Sequence, residues 1–130
     1  MKKILFAASE AVPFMKTGGL ADVTGSLPKY FDKKNYDVRV ILPKYVCMEE
    51  RWKGQLHFLC HFYVNLSWRK QYVGIFETTY DGITYYLVDN EFYFAGNAPY
   101  NNIYEDVEKF AFFSKAVLEA LPYLDFCPDI

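Results

Sequence analysis

The spacing of hydrophobic positions changes along the chain, and each spacing predicts a different element. Residues 4–8 form a continuous apolar run, the pattern of a central parallel strand covered on both faces. A loop over residues 9–19 follows, with Pro13 and the Gly18–Gly19 pair. Leu20, Val23, Leu27, Tyr30 and Phe31 then recur at helical spacing, and Pro28 predicts a kink or break there. Asn35 is a good helix stop, and residues 37–42 read as a second strand ended by Pro43. Strand, helix and strand in this order make a βαβ unit.

The middle of the chain switches to period two. Leu56, Phe58, Cys60, Phe62, Val64 and Leu66 alternate with His57, His61 and Asn65, which predicts a strand with one buried face. A turn near Trp68–Arg69 leads to a strand over residues 71–80. Asp81–Gly82 is a hairpin signal before a strand over residues 83–88. A loop rich in Tyr, Asn and Gly covers residues 91–104. A helix over residues 105–121 is expected next, with Val107, Phe110, Ala111, Val117, Leu118 and Leu121 on one face and a Glu105–Lys109 pair. Cys127-Pro128-Asp129-Ile130 reads as the opening of a further parallel strand, so residues 1–130 are expected to be one domain truncated before its end. The fold class is α/β, with a parallel core and an antiparallel β-hairpin or meander excursion.

Composition narrows the function classes. Hydrophobic residues make up 52% and charged residues 23% of the 130 residues, as in a folded domain. Aromatic residues reach 20%, which serves cores and sugar-binding surfaces alike. A net charge of −2 implies no nucleic-acid partner and no anionic membrane. The apolar run after Lys2–Lys3 is too short for a secretory signal, and Cys47, Cys60 and Cys127 lack metal or disulfide spacing. Both features predict a cytoplasmic protein. His57 and His61 lack a third ligand, so no metal is expected. Glu49–Glu50 beside Arg51 reads as a solvated turn.

The candidate chemistry lies in Lys16-Thr17-Gly18-Gly19-Leu20-Ala21-Asp22, between the first strand and its helix. Ligands of open α/β sheets bind outside the carboxyl ends of the strands. Paired glycines let backbone approach an anion, and a helix N-terminus offers unpaired amides and partial positive charge. Lys16 precedes the glycines, so this is not a P-loop, and no GxGxxG is present. On the residues alone, an anion site and a plain glycine-rich connector both remain open.

The stretch from Phe6 to Lys29, with its Lys16-Thr17-Gly18-Gly19-Leu20 core, resembles the opening of bacterial glycogen synthases and plant starch synthases, glycosyltransferase family 5. Asp37 to Tyr45 and Phe110 to Glu119 resemble later segments of that family. The resemblance implies a Rossmann-like N-terminal domain of a GT-B enzyme, with the second GT-B domain absent from these residues. It implies part of a synthase moving glucose from ADP-glucose to the non-reducing end of an α-1,4-glucan with retention. ADP-glucose and glycogen are the partners implied, and no cofactor is. Lys16 would bind donor phosphate, with Gly18 and Gly19 lining the pocket. Asp22 would sit near the donor or serve only the helix dipole. Tyr100 would lie near the substrate cleft or be a plain loop tyrosine, and Glu10 would face the cleft or complete a turn. No catalytic residue is expected within these residues, and the piece alone is expected to be inactive. The alternative is a non-catalytic nucleotide-sugar or carbohydrate-binding module. Another GT-B transferase, such as a sucrose-type synthase, would share the architecture but not this loop.

Overall fold

The computed structural model describes all residues from Met1 to Ile130. Its strands are β1 (Lys2–Ala7), β2 (Tyr36–Pro43), β3 (His57–Leu66), β4 (Arg69–Tyr80) and β5 (Ile83–Asp89). The helices are α1 (Gly19–Ser26), the single turn α2 (Glu50–Lys53) and α3 (Ile103–Ala120). All strands join one sheet in the order β1-β2-β5-β4-β3. β1, β2 and β5 run parallel, whereas β5, β4 and β3 form an antiparallel meander. The expected α/β core with a hairpin excursion is therefore a single continuous mixed sheet.

Both sheet faces are covered. Ile41, Tyr86, Val88, Val73, Ile75, Phe62 and Val64 turn to one face, where α3 packs with Phe112, Phe113, Ala116 and Val117. Val40, Leu42, Tyr85 and Leu87 turn to the other, against Phe14, Met48 and the partly buried Trp52. Trp52 lies on α2, so the segment after Glu49 is a helical turn; Glu49 and Glu50 are exposed, as expected of a solvated turn, and Arg51 pairs with Glu49 at 2.8 Å.

Several expectations about faces require correction. β1 lies at the sheet edge and is half-buried rather than central. Its outer edge is partly paired, because Ile130 donates to the Lys3 carbonyl at 3.3 Å and the Leu5 amide donates to the Ile130 carbonyl at 2.9 Å. That is parallel-strand bonding by the segment expected to open another strand.

α1 stops before Pro28, where a 3₁₀ turn over Leu27–Tyr30 takes over, as a proline without an amide hydrogen requires. The stripe Leu20, Val23, Leu27 and Tyr30 faces outward, and Ala21, Thr24, Gly25 and Pro28 are the buried residues. Small residues point inward because the helix sits very close to the preceding loop. A β-carbon on Gly25 would stand 2.8 Å from the Val12 carbonyl oxygen.

In β3 the alternation holds from Cys60 to Leu66 but fails at Phe58. A bulge at Leu59 lets Phe58 pair with Phe76 while Cys60 pairs with Ile75, so Phe58 crosses to the opposite sheet face. In α3 the buried set is Lys109, Phe112, Phe113, Ala116, Val117 and Ala120, whereas Val107 and Leu118 are exposed. Asn102 caps this helix by accepting from the Glu105 amide at 3.0 Å.

Candidate functional site

The carboxyl ends of β1 and β2 deliver Ser9, Glu10 and Tyr45 to one side of the sheet, and the loop before α3 brings Tyr100 to meet them. Glu10 is the hub. It is 2% exposed, and a carboxylate so buried survives only with its oxygens engaged. Its Oε2 accepts from the Thr17 hydroxyl at 2.5 Å and the Tyr100 hydroxyl at 3.2 Å. Its Oε1 accepts from the amides of Gly18 at 3.2 Å and Ala21 at 3.3 Å. Glu10 is thus bonded to both the glycine loop and Tyr100.

Two further bonds brace the network. Ser9 Oγ and the Tyr100 hydroxyl lie 2.6 Å apart, and the buried Tyr45 hydroxyl donates to the Ser9 carbonyl at 2.6 Å. Burial pushes the Tyr45 phenol well up, so it stays a donor. Burial, and then the nearby Glu10 charge opposed by the Ser9 hydrogen bond, push the Tyr100 phenol up as well.

This arrangement changes the anion-site argument. Two amides around the α1 N-terminus are already taken by Glu10, an internal anion in the favoured place. The amides of Gly19 and Leu20 have no protein acceptor. Gly18 is extended, with φ −164°, a conformation open to any residue. Neither Gly18 nor Gly19 has an atom within 4 Å of where a β-carbon would stand. Space outside the loop, rather than backbone conformation, is what these glycines preserve.

Lys16 Nζ hydrogen-bonds Asp22 Oδ1 at 2.9 Å, with both side chains about half exposed. An exposed pair of this kind contributes about 0–1 kcal/mol, so an arriving anion can compete for the ammonium at small cost. Lys16, Gly18, Gly19 and Asp22 therefore share one open surface, and Tyr100 reaches it through Glu10. Sequence reasoning left the hub role of Glu10 undecided and passed over Ser9, Thr17 and Tyr45. The only signal was position just past the first strand.

Lys109 supports this site from behind. It is 3% exposed, and its ammonium donates to the Pro99 carbonyl at 2.7 Å, Asn101 Oδ1 at 2.7 Å and Asp106 Oδ1 at 3.3 Å. The acidic partner is Asp106, one turn away, and not the expected Glu105. These bonds fix the residues on either side of Tyr100.

No helix is long and apolar enough to cross a membrane. The thiols of Cys47, Cys60 and Cys127 are free.

Comparison with known proteins places this geometry in context. The family model described as the starch synthase catalytic domain matches residues 3–130. A glycogen synthase of Lachnoclostridium phytofermentans is 67% identical over 130 residues, covering 100% of this chain and 27% of that protein. One from Lachnospira eligens is 62% identical over the same shares. Among solved structures, the catalytic domain of starch synthase IV from Arabidopsis thaliana, bound to ADP and acarbose, matches with a TM-score of 0.78 and 26% identity. That match covers 93% of this chain and 25% of the other. The chain thus spans about a quarter of the length of these relatives. With a matching sequence over residues 3–130 and a matching fold, the chain belongs to the starch synthase catalytic domain family.

Proposed function

We propose that this chain supplies the donor-phosphate side of the active-site cleft of a glycogen synthase. That enzyme transfers glucose from ADP-glucose to the non-reducing end of an α-1,4-glucan with retention of configuration. The observation that carries the reading is the open Gly18–Gly19 turn beside Lys16, with the Gly19 and Leu20 amides lacking protein acceptors. Adjacent amides at a helix start and one mobile ammonium suit a phosphate oxygen. The ADP and acarbose held by the Arabidopsis relative support a nucleotide and an oligosaccharide as ligand classes.

In this reading Lys16 leaves Asp22 to meet the donor's diphosphate, and Asp22 lies near the donor. Tyr100, held by Glu10 and Ser9, flanks the reacting sugar. Glu10 and Asp22 outnumber Lys16, so the loop's side chains sum to −1 and cannot by themselves neutralise a leaving diphosphate. Stabilisation of developing charge is usually the largest catalytic term. The missing cations belong to parts of the enzyme outside residues 1–130, which would be the first part of the N-terminal domain of a two-domain GT-B protein. The length of the relatives supports that division. The chain alone is expected to be inactive, and its unpaired thiols suit a cytoplasmic enzyme.

The test is steady-state kinetics of the full-length enzyme carrying Lys16→Gln. Loss of one charge-assisted phosphate contact is expected to cut kcat/KM for ADP-glucose by at least about tenfold. Unchanged kinetics would remove Lys16 from the site.

A further inference from the structure

Behind Tyr100 stands a second tyrosine, Tyr45, which is fully buried just past the end of β2. Its ring meets Phe94 edge-on at 5.7 Å. The backbone on either side is tied down, because the Lys44 amide donates to the Val88 carbonyl at 2.7 Å and the Val46 amide to the Phe94 carbonyl at 3.0 Å. A phenol fixed in this way can aim its single hydrogen in few directions. It donates to the Ser9 carbonyl at 2.6 Å.

Ser9 depends on that bond. β1 ends at Ala7, so the Ser9 carbonyl lies outside the β1–β2 ladder and finds its partner in the Tyr45 hydroxyl. The directions of the remaining bonds follow from counting hydrogens. Glu10 accepts from the Gly18 and Ala21 amides and the Thr17 hydroxyl, and it accepts the Tyr100 hydroxyl hydrogen as well. A phenol carries one hydrogen. With that hydrogen on Glu10, the 2.6 Å bond between Ser9 Oγ and the Tyr100 oxygen is donated by Ser9. Tyr100 is thus held by two bonds of opposite direction, and its oxygen keeps a lone pair toward the open side. A lone pair can take the hydrogen of a sugar hydroxyl but cannot bond a phosphate oxygen. A serine hydroxyl turns to suit its surroundings. Its aim therefore depends on where the backbone beneath it is held, and Tyr45 holds it.

We infer that Tyr45 is a positioning residue for glucose transfer: by fixing the Ser9 carbonyl it aims the Ser9 hydroxyl at Tyr100, and so sets the Tyr100 oxygen as a hydrogen-bond acceptor at the reacting sugar. The reaction rests on the proposed function; the role of Tyr45 rests on the bonds that run from it through Ser9 to Tyr100. Buried as it is, Tyr45 acts on the reaction only through Tyr100. Catalytic geometry tolerates little displacement, so loosening such a support is felt in rate.

The experiment is steady-state kinetics of the full-length enzyme carrying Tyr45→Phe, alone and combined with Tyr100→Phe. Phenylalanine keeps the ring against Phe94 and removes only the hydroxyl. Alone, Tyr45→Phe is expected to lower kcat about three- to tenfold, the worth of one neutral hydrogen bond, with KM for ADP-glucose within about twofold of the parent. In the Tyr100→Phe enzyme, whose own kcat is reduced, adding Tyr45→Phe is expected to change kcat by less than about twofold, because the group it positions is gone. Parent-like kcat in Tyr45→Phe, or a change confined to KM, would overturn the inference. So would an equal fold loss in both backgrounds, which would make Tyr45 a structural residue alone. A full-length parent that fails to transfer glucose from ADP-glucose would instead overturn the proposed function, whereas an active parent with independent effects leaves that function standing.

Discussion

Glu10 and Gly25 show how much a single position decides in this protein. Glu10 touches partners 7 to 90 residues away in the chain, so no local spacing could reveal it as a hub. Lys16, Gly18, Gly19 and Asp22, by contrast, are neighbours in sequence, so spacing alone put them on one loop, while leaving open whether that loop is an anion site or a plain connector. Tyr100 was legible only through family resemblance, because its bonds to Ser9 and Glu10 are long-range. Gly25 offers a clean test of local against tertiary preference. Alanine there gains about 1 kcal/mol of helix propensity. Its methyl, however, would meet the Val12 carbonyl oxygen at 2.8 Å and Cγ2 at 2.3 Å. Overpacking costs about 1–3 kcal/mol, so Gly25→Ala is expected to lower stability in urea unfolding. A raised midpoint would show that α1 can slide away from the loop.

At the level of elements, periodicity located α1 and α3 but not the faces they bury. Leu20, Val23, Leu27 and Tyr30 have the right spacing for a buried stripe, yet close approach to Val12 selects Ala21, Thr24 and Gly25 instead. The α3 error has a different cause. Lys109 is read as an outward residue by any polarity rule, but its stem is buried and its ammonium ends on three oxygens. Counting it as apolar turns the predicted face toward the observed one. Lys109→Met would keep the packing and leave the Pro99 and Asn101 oxygens unpaired. Removing one partner of a buried charged cluster costs about 3–5 kcal/mol, so a lower urea midpoint is expected together with a local readout: faster hydrogen exchange at the Tyr100 and Asn101 amides than at those of α3. Unchanged exchange would mean that the Asp106 bonds to the Asn101 amide hold the loop unaided. In β3 the Leu59 bulge defeated the alternation rule, since nothing in the local residues announces an extra position.

Across the whole molecule, a parallel core and an antiparallel meander were legible in the sequence, because the switch from apolar run to alternation marks where parallel pairing gives way to the meander; that both belong to one continuous sheet was not. Nor was the edge position of β1, since an apolar run specifies burial but not a neighbour. Global stability also carries a signature of the sheet's carboxyl end. Asp89 Oδ1 has no hydrogen bond, and Lys44 stands 3.8 Å away. Burial raises its pKa above 3.8, more than Lys44 lowers it. The native state therefore holds that proton longer than the unfolded chain, and stability falls as pH rises through the carboxyl range. Asp89→Asn is expected to match the parent at about pH 3 and to exceed it increasingly toward about pH 7 in urea unfolding. A difference constant with pH would assign the effect to packing instead. One bond pattern reaches further than stability. Since a single carboxylate grips both the glycine turn and the phenol arriving from the far end of the chain, those two parts form one mechanical piece. A nudge at either is handed to the other without passing through the sheet, so a tenant at the turn would be sensed where the tyrosine stands.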